Sequence, residues 1–292
     1  MTRWLNRIDE LADAYGGFVV DQFGVLHDGV RPAPGAADAL LALRAAGRRV
    51  IVLSNSGKRA AANAERLAHL GVTPAHYDEL ITSGELLWSM LQRRDRAPLA
   101  QLGRRAWSSD PSGDRVTLQG TELELVGTPE QADFVLLAGL ADVAGAADAL
   151  QAPLERALRR QLPLICANPD KQRLSRRGLE PGVGALAQRY EELGGQVVWL
   201  GKPHGLIYRA CSEAFAAWGV ERRLAVGDSL EHDVVGGKRA GYDTCLIAGG
   251  IHAAELGTRT DAAQREARLH ALAGRLGEGG CALPDWVLPL FQ

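Results

Sequence analysis

Short, nearly unbroken apolar runs alternate with amphipathic helical stretches at both ends of this chain. That rhythm restricts the fold more than any other feature. Residues 17–21 (Gly-Phe-Val-Val-Asp) and 49–54 (Arg-Val-Ile-Val-Leu-Ser) lack the polar alternation of a half-solvated strand. They predict strands buried on both faces, as in parallel sheets. Residues 35–46, with leucines at 40, 41 and 43, predict a helix between them. A second helix is expected over 60–70, stopped at Gly71. Residues 80–82 predict a short strand, with Ser83 capping the next helix. The alternation returns as strands at 196–200, 223–226 and 243–248, and helices at 205–218 and 233–240. Strands joined by helical crossovers imply an α/β fold with its reactive groups just beyond the carboxyl ends of the strands.

The middle of the chain reads differently. Turn formers are frequent over 94–128, and 108–114 (Ser-Ser-Asp-Pro-Ser-Gly-Asp) predicts a loop. Residues 115–118 and 122–126, separated by Gly120, predict a hairpin. Further strands are expected at 134–139 and 162–167. The expected organisation is a core of residues 1–79 and 197–292 with an inserted α/β domain over 80–196.

Composition removes several functional classes. The formal net charge of −2, from 33 basic and 35 acidic side chains, lacks the basic footprint of a nucleic-acid binder. No run approaches the ~20 apolar residues of a membrane span; the most apolar stretch, 134–152, is broken by Asp142 and Asp148. Asp9, Glu10 and Asp13 near the start argue against a secretory signal, so a cytoplasmic location is expected. Cys166, Cys211, Cys245 and Cys281 form no CxxC pair, which predicts buried neutral thiols rather than a disulfide scaffold or zinc site. Only four of the 33 basic residues are lysine, so each lysine merits scrutiny.

Four short motifs fall at expected strand ends. Asp21 precedes a Gln-Phe-Gly turn; alone it reads first as a turn-capping carboxylate. Ser54-Asn55-Ser56 offers hydroxyl and amide groups suited to phosphate oxygens, or an ordinary helix cap. Lys202-Pro203-His204 presents a compact cation suited to an anion. Asp228 and Asp233 are a carboxylate pair five residues apart, of the kind that holds magnesium. Together they describe coherent chemistry: a carboxylate nucleophile, a divalent cation, and a lysine and hydroxyl holding the remaining phosphoryl oxygens.

In these motifs the chain resembles the haloacid dehalogenase (HAD) superfamily. The long insert, with Ala-Asn-Pro-Asp at 167–170 and Pro-Gly-Val-Gly-Ala-Leu at 181–186, is similar to the class IIA cap. Pro-Asp-Trp-Val at 284–287 resembles the final core strand. The resemblance implies a three-layer Rossmann-like core with a parallel sheet and an inserted α/β cap. It implies a magnesium-dependent phosphohydrolase acting on a small phosphorylated metabolite through an aspartyl phosphate. Asp21 would be nucleophile and metal ligand. The Phe23 carbonyl and Asp228 would complete the ligand set, with Asp233 supporting the metal's water or orienting Lys202. Ser54 and Lys202 would hold phosphate. Asn55, Ser56, Asn168, Asp170 and His204 would lie toward the substrate.

One departure from the family pattern matters. The position two residues after the nucleophile usually carries an aspartate that protonates the leaving group and later activates water. Here it is Phe23. General acid–base catalysis is worth ~10²–10⁴-fold, so activity is expected to be weak or restricted to good leaving groups. His27, Asp28, His204 and Asp170 are candidate substitutes for that aspartate. Two alternatives remain: a catalytically impaired binder of a phosphometabolite, and a dehalogenase-like hydrolase. The helix expected over 261–276 has Leu269, Leu272 and Leu276 on one face, which must pack somewhere. That helix or the insert could carry a homodimer contact.

Overall fold

A computed structural model describes residues 2–94, 99–175, 178–257, 262–277 and 282–292. Contacts divide it into two compact units. One comprises Met1–Ser54, Ala64–Ile81 and Lys202–Gln292; the other comprises Asn55–Asn63 and Thr82–Gly201.

The first unit is built on a seven-stranded sheet. Its spatial order is Arg3–Trp4, Trp286–Leu288, Asp243–Ile247, Arg223–Gly227, Gly17–Asp21, Arg49–Ser54, Glu79–Thr82. The central pairings are parallel, with Val20 opposite Val52 on one side and Val226 on the other. Phe18, Val50, Ile51, Val52 and Leu224 are fully buried, which explains the unbroken apolar runs. From Gly17–Asp21 the chain winds outward to Arg49–Ser54 and Glu79–Thr82. It later returns to the other side of Gly17–Asp21 with Arg223–Gly227. The winding direction therefore reverses between Gly17–Asp21 and Arg223–Gly227, and the carboxyl ends at such a reversal open a crevice.

Helices Ala36–Ala45 and Gly205–Ala217 follow the expectation closely. The segment after Arg223–Gly227 is a π-helical turn, Leu230–Val235, continued by the α-helix Gly236–Arg239. Helix Ala262–Arg275 has a solvated face, while Leu269 and Leu272 are buried against Leu230, Val234, Leu246 and Val287.

The second unit has its own sheet, ordered Val197–Trp199, Leu164–Cys166, Phe134–Leu137, Arg105–Ser108, Glu124–Val126. All four pairings are parallel. Its core joins Trp107, Val135, Leu164 and Cys166 of the sheet to Leu154 and Ala187 of the covering helices. An antiparallel hairpin, Gln172–Ser175 with Gly178–Pro181, extends from it. The segment Asn55–Asn63 groups with this unit through close backbone approaches: a Cβ on Gly57 would lie 2.1 Å from the Ala138 carbonyl oxygen.

Three local expectations are corrected. The 108–114 loop is instead the start of helix Pro111–Thr117, with Asp110 as N-cap accepting from the Gly113 N–H at 3.2 Å. Proline at the first helical position and aspartate before it are helix-initiating signals as much as turn signals. The 115–118/122–126 hairpin does not form, because Glu124–Val126 pairs in parallel with Arg105–Trp107. The cap of helix Ser83–Arg93 is Thr82, whose Oγ1 accepts from the Glu85 N–H at 3.0 Å; Ser83 is the first helical residue.

Cys166, Cys211 and Cys245 are free and buried, and burial pushes each thiol well up. Cys281 lies outside the described residues. Among the described residues, no helix is long and apolar enough to cross a membrane.

Candidate active site

The reversal point of the first sheet holds an unusual concentration of buried charge. Asp21 ends its strand, and Asp228 immediately follows Arg223–Gly227. Asp233 comes from the π-helical turn one step further. Carboxylate oxygens of Asp21, Asp228 and Asp233 lie within 4.8 Å of one another, and all three side chains are buried. Lys202 joins them at 3% exposure, its Nζ donating to Asp21 Oδ1 at 2.5 Å and to Asp233 Oδ1 at 2.7 Å.

Backbone donors hold two of the acids. The Ser229 N–H donates to Asp233 Oδ2 at 3.1 Å, and the Ile251 N–H donates to Asp228 Oδ2 at 2.9 Å. Gly24, at φ +83°, packs so tightly on Asp228 that a Cβ there would fall 1.9 Å from Oδ2. Neither Ser229 nor Ile251 was expected from the sequence. The glycine pair 249–250 beyond strand Asp243–Ile247 was the available signal, since it marks a close backbone approach.

Three acids against one lysine leave this buried cluster short of positive charge. Burial raises the Asp21 carboxyl well above its ordinary value; Lys202 opposes this, and the charges of Asp233 and Asp228 add to it. Asp228 is pushed up to about 7, chiefly by burial and then by Asp233. Burial pulls Lys202 down, but Asp21 and Asp233 outweigh it and keep the ammonium charged. A cluster of oxygen donors in electrostatic deficit is what a hard divalent cation satisfies.

Ser54 ends the strand beside Gly17–Asp21 and is buried. Asn55 and Asp170, 115 residues apart in sequence, meet within the second unit, where Asn55 Nδ2 donates to Asp170 Oδ1 at 2.8 Å. Asn168 shapes the same loop, its Oδ1 accepting from the Asp170 N–H at 3.1 Å. Ser56 Oγ accepts from the Lys58 N–H at 3.3 Å. His204 occupies the N-cap position of helix Gly205–Ala217 and is half-buried.

Phe23 is 45% exposed, and its ring meets His27 edge-on, with centroids 5.9 Å apart. His27 is buried, and burial lowers its pKa to about 4, so the ring is neutral. Asp28 Oδ1 accepts from the Val30 and Arg31 N–H groups at 2.8 and 2.6 Å, which hold its carboxyl below the usual range. Both residues therefore serve the turn that follows Asp21.

Comparison with known proteins agrees with this geometry. A family described as haloacid dehalogenase-like hydrolase matches residues 18–122, and a HAD-hydrolase-like family matches residues 199–274. Chronophin from Rattus norvegicus is 30% identical, over 82% of this chain and 78% of its own. A D-glycerol 3-phosphate phosphatase from Mycobacterium tuberculosis is 27% identical, over 84% of this chain and 66% of its own. The crystal structure of a haloacid dehalogenase-like hydrolase from Brucella suis 1330 superposes with a TM-score of 0.79 at 29% identity, covering 99% of this chain and 100% of that one.

Proposed function

The chain belongs to the haloacid dehalogenase-like hydrolases, and on that premise we propose that it is a magnesium-dependent phosphohydrolase acting on small phosphorylated metabolites with good leaving groups. The observation that carries this reading is the trio of buried carboxylates, two of them bridged by a buried lysine, at the reversal point of the sheet. The relative that acts on D-glycerol 3-phosphate supports a small phosphorylated substrate.

Asp21 is the nucleophile. Its carboxylate oxygen attacks phosphorus, the bond to the leaving group breaks, and the phosphoryl group is held as an acyl phosphate. Lys202 and Ser54 hold the phosphoryl oxygens, where charge must be stabilised. Asp233 is a positioning residue: its 2.7 Å ion pair fixes the Lys202 ammonium beside Asp21. Asp21, Asp228 and the Phe23 carbonyl would hold the cation, and the charge deficit of the cluster fits that assignment. Magnesium, when bound, neutralises phosphoryl charge and orients the reacting groups. Asn55, Ser56, Asn168, Asp170 and His204 are assigned to substrate recognition. With Phe23 in place of an acid, the leaving group departs without a proton, which favours aryl and acyl phosphates over alkyl esters.

The test is phosphate release from 4-nitrophenyl phosphate with and without magnesium, beside Asp21→Asn. Activity that requires both the cation and Asp21 is expected. Turnover retained in Asp21→Asn, or absent from every arm, would overturn the proposal.

A further inference from the structure

We infer that the cleft between helices Gln151–Arg159 and Val183–Glu192 of the second unit binds a free α-amino acid with an apolar side chain, its carboxylate held by Arg189 and its ammonium by Glu155. The site lies wholly within the second unit and does not depend on the phosphohydrolase reading.

The cleft follows from the width of the apolar stripe on each helix. Leu154 and Ala157 of the first helix, and Ala187 and Tyr190 of the second, are buried in the core of the unit. Both stripes are wider than that core covers. Leu158 and Leu186 are only partly buried, and Leu193, just past the second helix, is 48% exposed. These three leucines, with Leu154 and Tyr190, line a cavity of about 280 Å³. That volume is close to the lower end of the ~300–1,000 Å³ typical of small-molecule sites. The tyrosine is fixed at two places. Its hydroxyl donates to the Leu162 carbonyl at 2.6 Å. Gly195 packs so closely on its ring that a Cβ there would fall 2.2 Å from Cδ1 and Cε1. A ring held in this way does not swing over to fill the cavity.

The polar lining carries both signs. Glu155 comes from the first helix and Arg189 from the second, and both are exposed. Among the described residues Glu155 forms no ion pair. Arg189 reaches Glu192 of its own helix at 3.7 Å, and Glu192 Oε1 also accepts from Gln188 Nε2 at 3.0 Å. An exposed pair of that length holds little. The guanidinium can therefore turn and donate two parallel N–H bonds to a carboxylate. Gln151 lines the cleft one turn before Glu155, and its Nε2 donates to Asp148 Oδ1 at 3.3 Å. Its amide oxygen remains an acceptor for an ammonium. Packed helices lie about 8–10 Å apart, so an acid and a base on the two sides of the cleft can straddle one carbon that bears both a carboxylate and an ammonium. The apolar side chain on that carbon then enters the leucine-lined space. A ligand of one sign leaves one of the two charges unanswered, and a purely apolar ligand leaves both.

The test titrates the full chain with L-phenylalanine by ligand-observed NMR, beside 3-phenylpropionate, which lacks the ammonium, and phenethylamine, which lacks the carboxylate. Saturable binding of L-phenylalanine is expected with a Kd of about 1 mM or lower. Each single-charge analogue should bind about 10-fold more weakly or worse, and so should L-phenylalanine to Arg189→Gln and to Glu155→Gln. Both substitutions fall on exposed side chains outside the core, so the variants keep the fold. Light scattering on the same samples should give one mass for all three proteins. No saturation up to about 10 mM, an analogue that binds as tightly as the amino acid, or an unchanged Kd in either variant would overturn the inference. A dimer that both variants lose would make a second copy of this chain the occupant and overturn it as well.

Discussion

Replacing Lys202 by methionine tests the electrostatic account of the site most directly. The ammonium is 3% exposed and ion-paired with both Asp21 and Asp233. Methionine fills much of the same volume but supplies no charge, so two buried carboxylates lose their cation. Breaking a buried pair from one side costs ~3–5 kcal/mol, because the orphaned charge remains buried. With a urea slope of about 3 kcal/mol/M, the midpoint of the transition that includes the core sheet should fall by roughly 1–1.7 M. The loss should depend on pH. Asp21 is already raised above its ordinary 3.8 by burial, and removing Lys202 raises it further. A carboxyl whose folded pKa exceeds its unfolded value keeps its proton in the fold, so stability falls as pH rises above the unfolded value. The penalty should be small near pH 4 and grow toward neutrality. Urea titrations without added divalent cation, at pH 4.5 and 7.5, measure both quantities. A loss below about 1 kcal/mol at pH 7.5, or the same loss at both pH values, would refute the reasoning.

Two further substitutions probe other features. Gly24→Ala should weaken magnesium affinity by about 10–100-fold in calorimetry, because its Cβ would displace Asp228 and its φ of +83° disfavours a side chain; unchanged affinity would contradict this. Asp114 is buried in the second unit beside Ser108, and burial pushes it up to about 7 against the opposing hydrogen bond. The fold thus holds a proton that the unfolded chain releases above 3.8, and this group's contribution to stability should fall by up to ~4 kcal/mol between pH 4 and 7. Asp114→Asn should remove that part of the slope in thermal melts, and identical slopes in the two proteins would rule it out.

Sequence and structure agree best where burial is two-sided. Phe18 to Val20 and Val50 to Leu53 read as strands because both faces of the sheet are covered, so no polar residue interrupts them. Asp21 and Asp228 were legible because one ends and the other follows such a run; Lys202 follows a half-buried strand and Asp233 lies in the helical turn after Asp228, and the structure brings these four together. Residues 108–126 were misread because Ser, Asp, Pro and Gly serve helix starts and turns alike, and only the surrounding packing decides between them. The partner of Glu124–Val126 is a strand some 19 residues away in register, which no local pattern specifies. The grouping of Asn55–Asn63 with the second unit depends on backbone approaches at Gly57 and Gly84. The donors from Ser229 and Ile251 are main-chain groups that any residue carries, so side-chain motifs cannot reveal them.

The distribution of thiols gives the protein an internal set of reporters. Cys211 and Cys245 are sealed in the first unit and Cys166 in the second, all protonated and out of reach of solvent. An alkylating reagent can reach each sulfur only while the surrounding structure is open, and only then does the thiol regain its ordinary acidity. Labelling rates resolved by residue would therefore read the opening of each unit separately in the unmodified chain, without an added probe.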